Sequence, residues 1–241
     1  MGIIKAPTTP VAATHFLFDM DGLLLNTDDQ YTVAANQILA PFGKTYDLEL
    51  KVRIMGRRED EAVAMLVREL NIPLTVEDYL AQRRAILAKL FPLCTPLPGV
   101  QRFVSHLHAH QQPMAIATSS HHDLFLIKST PHPALFSMFG DHIVTGDHAQ
   151  VTRGKPAADI YLVAHAKLGR GTHERATAIV FEDAMSGVQA GLAAGMQVVW
   201  IRDRKLPVTP EMRAVEEQCF AVVESMEEVD PQWLGLSSYS N

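Results

Sequence analysis

The sequence predicts an α/β fold: a doubly wound parallel sheet with a small helical domain inserted after its first strand. Apolar runs of strand length recur along the 241 residues, at Phe16-Leu17-Phe18, 114–117, Ile143-Val144, 178–181, 198–201 and 220–223. Between them, residues 100–108, 160–168 and 188–194 carry apolar side chains at helical spacing, the rhythm of strands joined by crossover helices. From about residue 28 to 94 that rhythm stops, and only helix-like patterns remain.

In chain order, the first run is followed by Asp19 and then by the insertion, whose helical stretches are 31–39, 59–70 and 77–90. Pro92, Pro96, Pro98 and Gly99 close it as a rigid connector. The expected organisation is a catalytic core of residues 1–27 and 95–241 and a cap of residues 28–94, hinged near Thr27 and Pro96 so that it gates the site. Gly154-Lys155-Pro156 reads as the opening of the helix after the third strand, with Pro156 at a helix-starting position.

Composition narrows the function. With 47% hydrophobic and 20% charged residues the chain has the balance of a globular protein, and its net charge of −6 lacks the basic footprint of a polyanion binder. Neither a nucleic-acid polymer nor a membrane surface is an expected partner. Cys94 and Cys219 stand far apart without metal-ligand spacing, and residues 1–13 contain no apolar stretch fit for a signal peptide or span. A cytoplasmic protein, monomeric or weakly dimeric, is the expectation.

Open parallel sheets bind ligands at the carboxyl ends of their strands. Those positions hold Asp19-Met20-Asp21-Gly22, Thr118-Ser119-Ser120 and Glu182-Asp183, with Lys155 arriving separately. Clustered carboxylates raise one another's pKa unless a cation sits among them, and an all-oxygen donor set suits magnesium. Asp19 and Asp183 are the expected direct ligands, joined by the backbone carbonyl of Asp21 and by Glu182 through a water, unless Glu182 instead orients Lys155. A carboxylate can also attack phosphorus, splitting hydrolysis into two displacements. Asp19 is then the nucleophile and Asp21 the general acid and base, with Gly22 turning the chain away. Thr118, Ser119 and Ser120 bind phosphoryl oxygens, and Lys155 offsets charge on nucleophile and phosphate. A calcium loop at Asp19 fails because the acidic residues it requires after Gly22 are missing. The eleven histidines lack ligand spacing, but His121 and His122 adjoin the hydroxyl cluster and could line its rim. Arg57 and Arg58 open a helix where cations oppose the dipole, which favours a role in gripping polar substrate groups.

These residues make the chain resemble the haloacid dehalogenase superfamily of phosphohydrolases. Residues 18–22 match its first motif, Thr118 the second, Lys155 in Gly-Lys-Pro the third and Glu182-Asp183 the fourth. The subgroup with a small helical cap before the second motif is the most similar. Residues 18–25, Met55-Gly56, 117–120, Gly146-Asp147, 180–184, Gly187-Val188, 193–199 and 234–236 are similar to the pseudouridine-5'-phosphatase-like group, which implies a nucleotide-like sugar phosphate as substrate. Asn26, His121-His122 and Ala158 depart from the usual family residues, yet every catalytic carboxylate is present. The expected activity is magnesium-dependent hydrolysis of a small phosphomonoester. A sugar phosphomutase would share the motifs, and a non-catalytic phosphate-binding module is the reading from a different class.

Overall fold

The computed structural model describes residues 3–54 and 59–239. Its strands are β1 (His15–Phe18), β2 (Met114–Ala117), β3 (Ile143–Val144), β4 (Ala178–Glu182), β5 (Gln197–Ile201) and β6 (Ala221–Val223). Its helices are α1 (Thr27–Leu39), α2 (Leu48–Ile54), α3 (Glu59–Leu70), α4 (Val76–Leu90), α5 (Val100–Ala109), α6 (His122–Ser129), α7 (Pro133–Phe136), α8 (Asp159–Lys167), α9 (Met185–Ala193) and α10 (Pro210–Glu216). Contacts divide the chain into two compact units, one of Met1–Leu25 with Thr95–Asn241 and one of Asn26–Cys94.

The first unit is built on a parallel sheet with strand order β3-β2-β1-β4-β5-β6. Central strands covered on both faces read as unbroken apolar runs, which is why β1, β2 and β4 are buried at every position. Alternation along the strands separates the two faces. Phe18 stacks on Phe181 at 4.8 Å and 8°, with Phe103 and Phe139 packed edge-on against Phe18. Leu17, Ala115, Val180, Val198 and Trp200 face the other way, with Tyr161 of α8, Val188 of α9 and Met212 of α10.

The register matters most for the site. Phe18 lies opposite both Ile116 and Phe181, so β1, β2 and β4 end side by side. The chain leaves β1 for β2 and β3 on one side and returns to β4 on the other. This reversal is the switch point at which an open parallel sheet forms its crevice.

The second unit packs α1 to α4 around Ile38, Leu39, Leu50, Ile54, Val63, Leu66, Ile72 and Tyr79. Thr75 caps α4, its hydroxyl accepting from the Asp78 N–H at 3.0 Å. Among the described residues no helix is long and apolar enough to cross a membrane. Cys94 and Cys219 are buried free thiols.

One local expectation is corrected. Pro156 does not start the helix after β3: α8 begins at Asp159, and the Lys155–Pro156 peptide is cis. The cause is a loop closed on the Asp159 side chain, which accepts from Thr152 Oγ1 at 2.6 Å and the Arg153 N–H at 3.1 Å. A turn from Gly154 O to the Ala157 N–H, at 3.0 Å, holds Lys155 ahead of the helix.

Candidate active site

Asp19 follows β1 directly. Its N–H donates to Phe181 O at 3.1 Å, which continues the sheet ladder by one residue and fixes the side chain beside the end of β4. The chain then turns back through Met20 O, which accepts from the Leu24 and Leu25 N–H groups. Gly22 sits at φ +81°, and a Cβ there would lie 2.2 Å from Asp183 Oδ2, so only glycine lets this turn pass the second acidic loop.

Lys155 unites the strand ends. Its Nζ donates to Asp19 Oδ1 at 2.5 Å, Glu182 Oε1 at 2.6 Å and Ala117 O at 3.1 Å, so each ammonium proton has an acceptor. Burial opposes the charge, but Asp19 and Glu182 outweigh it and the lysine pKa is raised. The Asp19 carboxyl is also raised, from 3.8 to about 7: burial is the largest cause, Lys155 opposes it, and Glu182 and Asp21 add to it. A site that raises a carboxylate in this way gains from a cation.

Glu182 is fully buried and saturated. Besides Lys155, Oε1 accepts from Tyr161 OH at 2.7 Å, and Oε2 accepts from the N–H groups of Asp183 and Ala184, each at 3.0 Å. With both oxygens engaged, the geometry favours the orientation of Lys155 as the work of Glu182. Trp200 Nε1 donates to Asp183 O at 2.8 Å and anchors the next residue. Asp19, Glu182 and Asp183 each offer a carboxylate oxygen, all within 4.8 Å of one another. With Glu182 already engaged, the hard oxygens of Asp19 and Asp183 at this sheet edge fit a magnesium ion.

Asp21 is held on the opposite flank. Oδ2 accepts from Ser120 Oγ at 2.7 Å and Thr118 Oγ1 at 3.3 Å, while Oδ1 accepts from Lys128 Nζ at 2.5 Å. Thr118 Oγ1 in turn accepts from the Ser120 N–H at 3.1 Å. Ser119 is exposed at the end of β2, and Gly146 approaches it so closely that a Cβ would meet Ser119 O at 2.3 Å. His121 and His122 are exposed at the start of α6, and the His122 N–H donates to Asp147 Oδ1 at 3.1 Å.

The fold therefore brings Asp19, Asp21, Gly22, Thr118, Ser120, Lys155, Glu182 and Asp183 to the carboxyl edge of the sheet. Arg57 and Arg58 lie outside the described residues. Sequence reasoning missed Lys128, Tyr161, Gly187 and Trp200, each of which touches a motif residue or packs within van der Waals distance of one. Gly187 had appeared only as part of a resemblance, yet a Cβ there would fall 1.6 Å from Glu182 Oε1.

Comparison with known proteins identifies the family. Residues 16–201 match the haloacid dehalogenase-like hydrolase family. A Drosophila melanogaster protein named "Probable pseudouridine-5'-phosphatase" is 37% identical, over 95% of this chain and 96% of its own. An Arabidopsis thaliana protein named (DL)-glycerol-3-phosphatase 2 is 39% identical, over 95% of this chain and 93% of its own. The crystal structure of a hydrolase of this family from Deinococcus radiodurans R1 superposes with a TM-score of 0.77 at 24% identity, covering 95% of this chain and all of that one, and so shares the fold. The chain belongs to the haloacid dehalogenase-like hydrolase family, and it is a phosphatase.

Proposed function

We propose that the chain hydrolyses the phosphate ester of a primary alcohol in two steps, through an aspartyl phosphate on Asp19. The observation that carries this reading is the clamp on Asp19: one buried lysine binds the carboxylate next to Asp183, where an attacking oxygen and a metal can share it. Asp19 attacks phosphorus and the alkoxide leaves with a proton from Asp21. Asp21, now ionised, takes a proton from the water that cleaves the acyl phosphate. Lys155 offsets charge on the attacking carboxylate, and Thr118, with the Ser119 backbone, cradles phosphoryl oxygens. Asp19, Asp183 and the Asp21 carbonyl would hold magnesium, which supplies Lewis-acid stabilisation of the phosphoryl oxygens.

Two relatives suggest the leaving group. Pseudouridine 5'-phosphate is our leading substrate and glycerol 3-phosphate the second, the latter favoured by the Arabidopsis relative. Both are phosphates of a primary hydroxyl, whose basic alkoxide needs a general acid. Turnover of both, of other nucleotides and of hexose phosphates should be compared by kcat/KM, and acid-stable trapping of the phosphorylated protein should fail in Asp19→Asn. Normal turnover by folded Asp19→Asn refutes the mechanism. A tenfold preference for hexose phosphates, about 1.4 kcal/mol, removes the substrate assignment and leaves the mechanism standing. Product formation that depends on a sugar bisphosphate would instead favour a mutase.

A further inference from the structure

Lys128 belongs to no motif, yet among the described residues it is more fully enclosed than Lys155, the other cation of the site. Its side chain is 0% exposed, whereas that of Asp21, its partner, is 22% exposed. An ammonium taken out of water costs several kcal/mol unless it is paired and hydrogen-bonded. Here Nζ donates to Asp21 Oδ1 at 2.5 Å and to Ser120 Oγ at 2.7 Å, and that same hydroxyl donates to Asp21 Oδ2 at 2.7 Å. Lys128, Ser120 and Asp21 thus form a closed triangle that grips both oxygens of one carboxylate. Lys155 does not take part: it serves Asp19 and Glu182 on the other flank. Each of the two carboxylates that follow β1 has its own buried lysine.

We propose that Lys128 is a positioning residue for Asp21, fixing the side chain in the orientation from which, as the acid, it protonates the leaving oxygen and, as the carboxylate, it takes a proton from water. The inference rests on the acid–base role given to Asp21 above. Lys128 has no surface with which to touch substrate, so it acts through the side chains around it, Asp21 and Ser120 among them. A role in stability alone explains the arrangement poorly. Replacing a buried ion pair as a whole by apolar side chains is often neutral or stabilising, so the fold has no need of a charged pair at Lys128 and Asp21. What the lysine supplies that an apolar side chain cannot is direction.

The test separates substrates by leaving group. A primary alkyl phosphate needs the proton from Asp21, whereas p-nitrophenyl phosphate departs as a stable phenolate and needs it little. In Lys128→Met we expect kcat on glycerol 3-phosphate, or pseudouridine 5'-phosphate if that is the better substrate, to fall about tenfold to a hundredfold. On p-nitrophenyl phosphate the fall should be under about threefold, with KM little changed for either. In an Asp21→Asn background the same substitution should cost nothing further on the alkyl ester. Ser120→Ala should produce a milder split of the same sign, and it decides the matter if Lys128→Met does not fold. Equal losses on both esters, or losses that persist undiminished with Asn at position 21, overturn the inference. If Asp21→Asn shows no leaving-group split, the role given to Asp21 fails. If Asp21→Asn splits the substrates and Lys128→Met does not, only the present inference fails.

Discussion

Gly187 offers the sharpest test of how the site is assembled. A Cβ added there would lie 1.6 Å from Glu182 Oε1, 2.0 Å from Cδ and 2.5 Å from Oε2, far inside the roughly 3.5 Å of ordinary contact. Gly187 lies in the first turn of α9, so the helix cannot yield without uncoupling from β4 and β5, and the carboxylate must move by more than about 1 Å. Such a shift lengthens the 2.6 Å contact to Lys155 and the 2.7 Å contact to Tyr161 beyond hydrogen-bond range. Hydrogen bonds to charged groups are worth about 1.5–3 kcal/mol each, so losing the better part of two should destabilise the fold by about 2–4 kcal/mol. The catalytic loss should be larger than the stability loss suggests, because Lys155 would be drawn from Asp19 at the same time; we expect kcat/KM to fall about a hundredfold or more, roughly 2.7 kcal/mol. Chemical unfolding and steady-state kinetics of Gly187→Ala measure both quantities, and Glu182→Gln provides the comparison. The two substitutions should be strongly non-additive when combined, since both act on one carboxylate. A Gly187→Ala protein with wild-type kcat/KM would refute the assembly of the site described above.

Three further outcomes can be checked. Chelation with EDTA should abolish turnover, magnesium should restore it and calcium should restore it poorly, because its longer and looser coordination misplaces an attacking carboxylate; full activity in excess EDTA would rule out the metal site. Asp183→Asn should shift the magnesium concentration for half-maximal activity upward by tenfold or more, read from a metal titration of kcat. Lastly, His15 is fully buried and its pKa is lowered from 6.5 to about 4, chiefly by burial and then by His165 and Arg170. The unfolded chain binds a proton below pH 6.5 that the folded chain refuses until about pH 4, so this histidine's contribution is fully present above pH 6.5 and is lost as pH falls to 4, about 3 kcal/mol in all. An NMR titration in which the His15 imidazole ionises near pH 6.5 would contradict this.

The pH expectation has a structural basis in the hydrogen-bond chain around His15. His165 Nε2 lies 2.9 Å from Gly171 O and must donate, since a carbonyl only accepts. With its other ring nitrogen free to accept, His165 Nδ1 lies 2.8 Å from His15 Nε2, and Thr14 Oγ1 lies 2.9 Å from both His15 Nδ1 and Thr177 Oγ1.

Much of the core was legible from the chain itself. Strands buried on both faces leave unbroken apolar runs, so all six were readable, and the residues that follow β1, β2 and β4 could be assigned to one edge by a general property of parallel sheets. Short or mixed helices were less visible: α2, α6, α7 and α10 bury only a few side chains each and carry little periodic signal. Pro156 misled because proline next to a helical pattern resembles a helix start, whereas the loop is organised by Asp159 from outside the tripeptide. Lys128 was invisible for a similar reason. A single lysine in a helix looks like a solvated surface residue, and its partner stands 107 positions away. Glu182 reads from the sequence with two roles, and the donors around its oxygens, which favour orienting Lys155, come from residues distant in the chain.

The hydrogen bond from Trp200 to the peptide oxygen of Asp183 makes the molecule its own optical sensor. The chain has two tryptophans, and the indole of Trp200 is enclosed while its N–H points at the backbone of the acidic loop. Indole emission depends on the electric field along the ring and on the strength of this hydrogen bond. A divalent cation drawing electron density from the Asp183 carboxylate polarises the same residue, and the emission of Trp200 should shift in colour or intensity with occupancy. Removal of Trp233 would isolate that signal. Ion binding and phosphoryl turnover could then be followed in real time without a label, by the light of a side chain that takes no part in the chemistry.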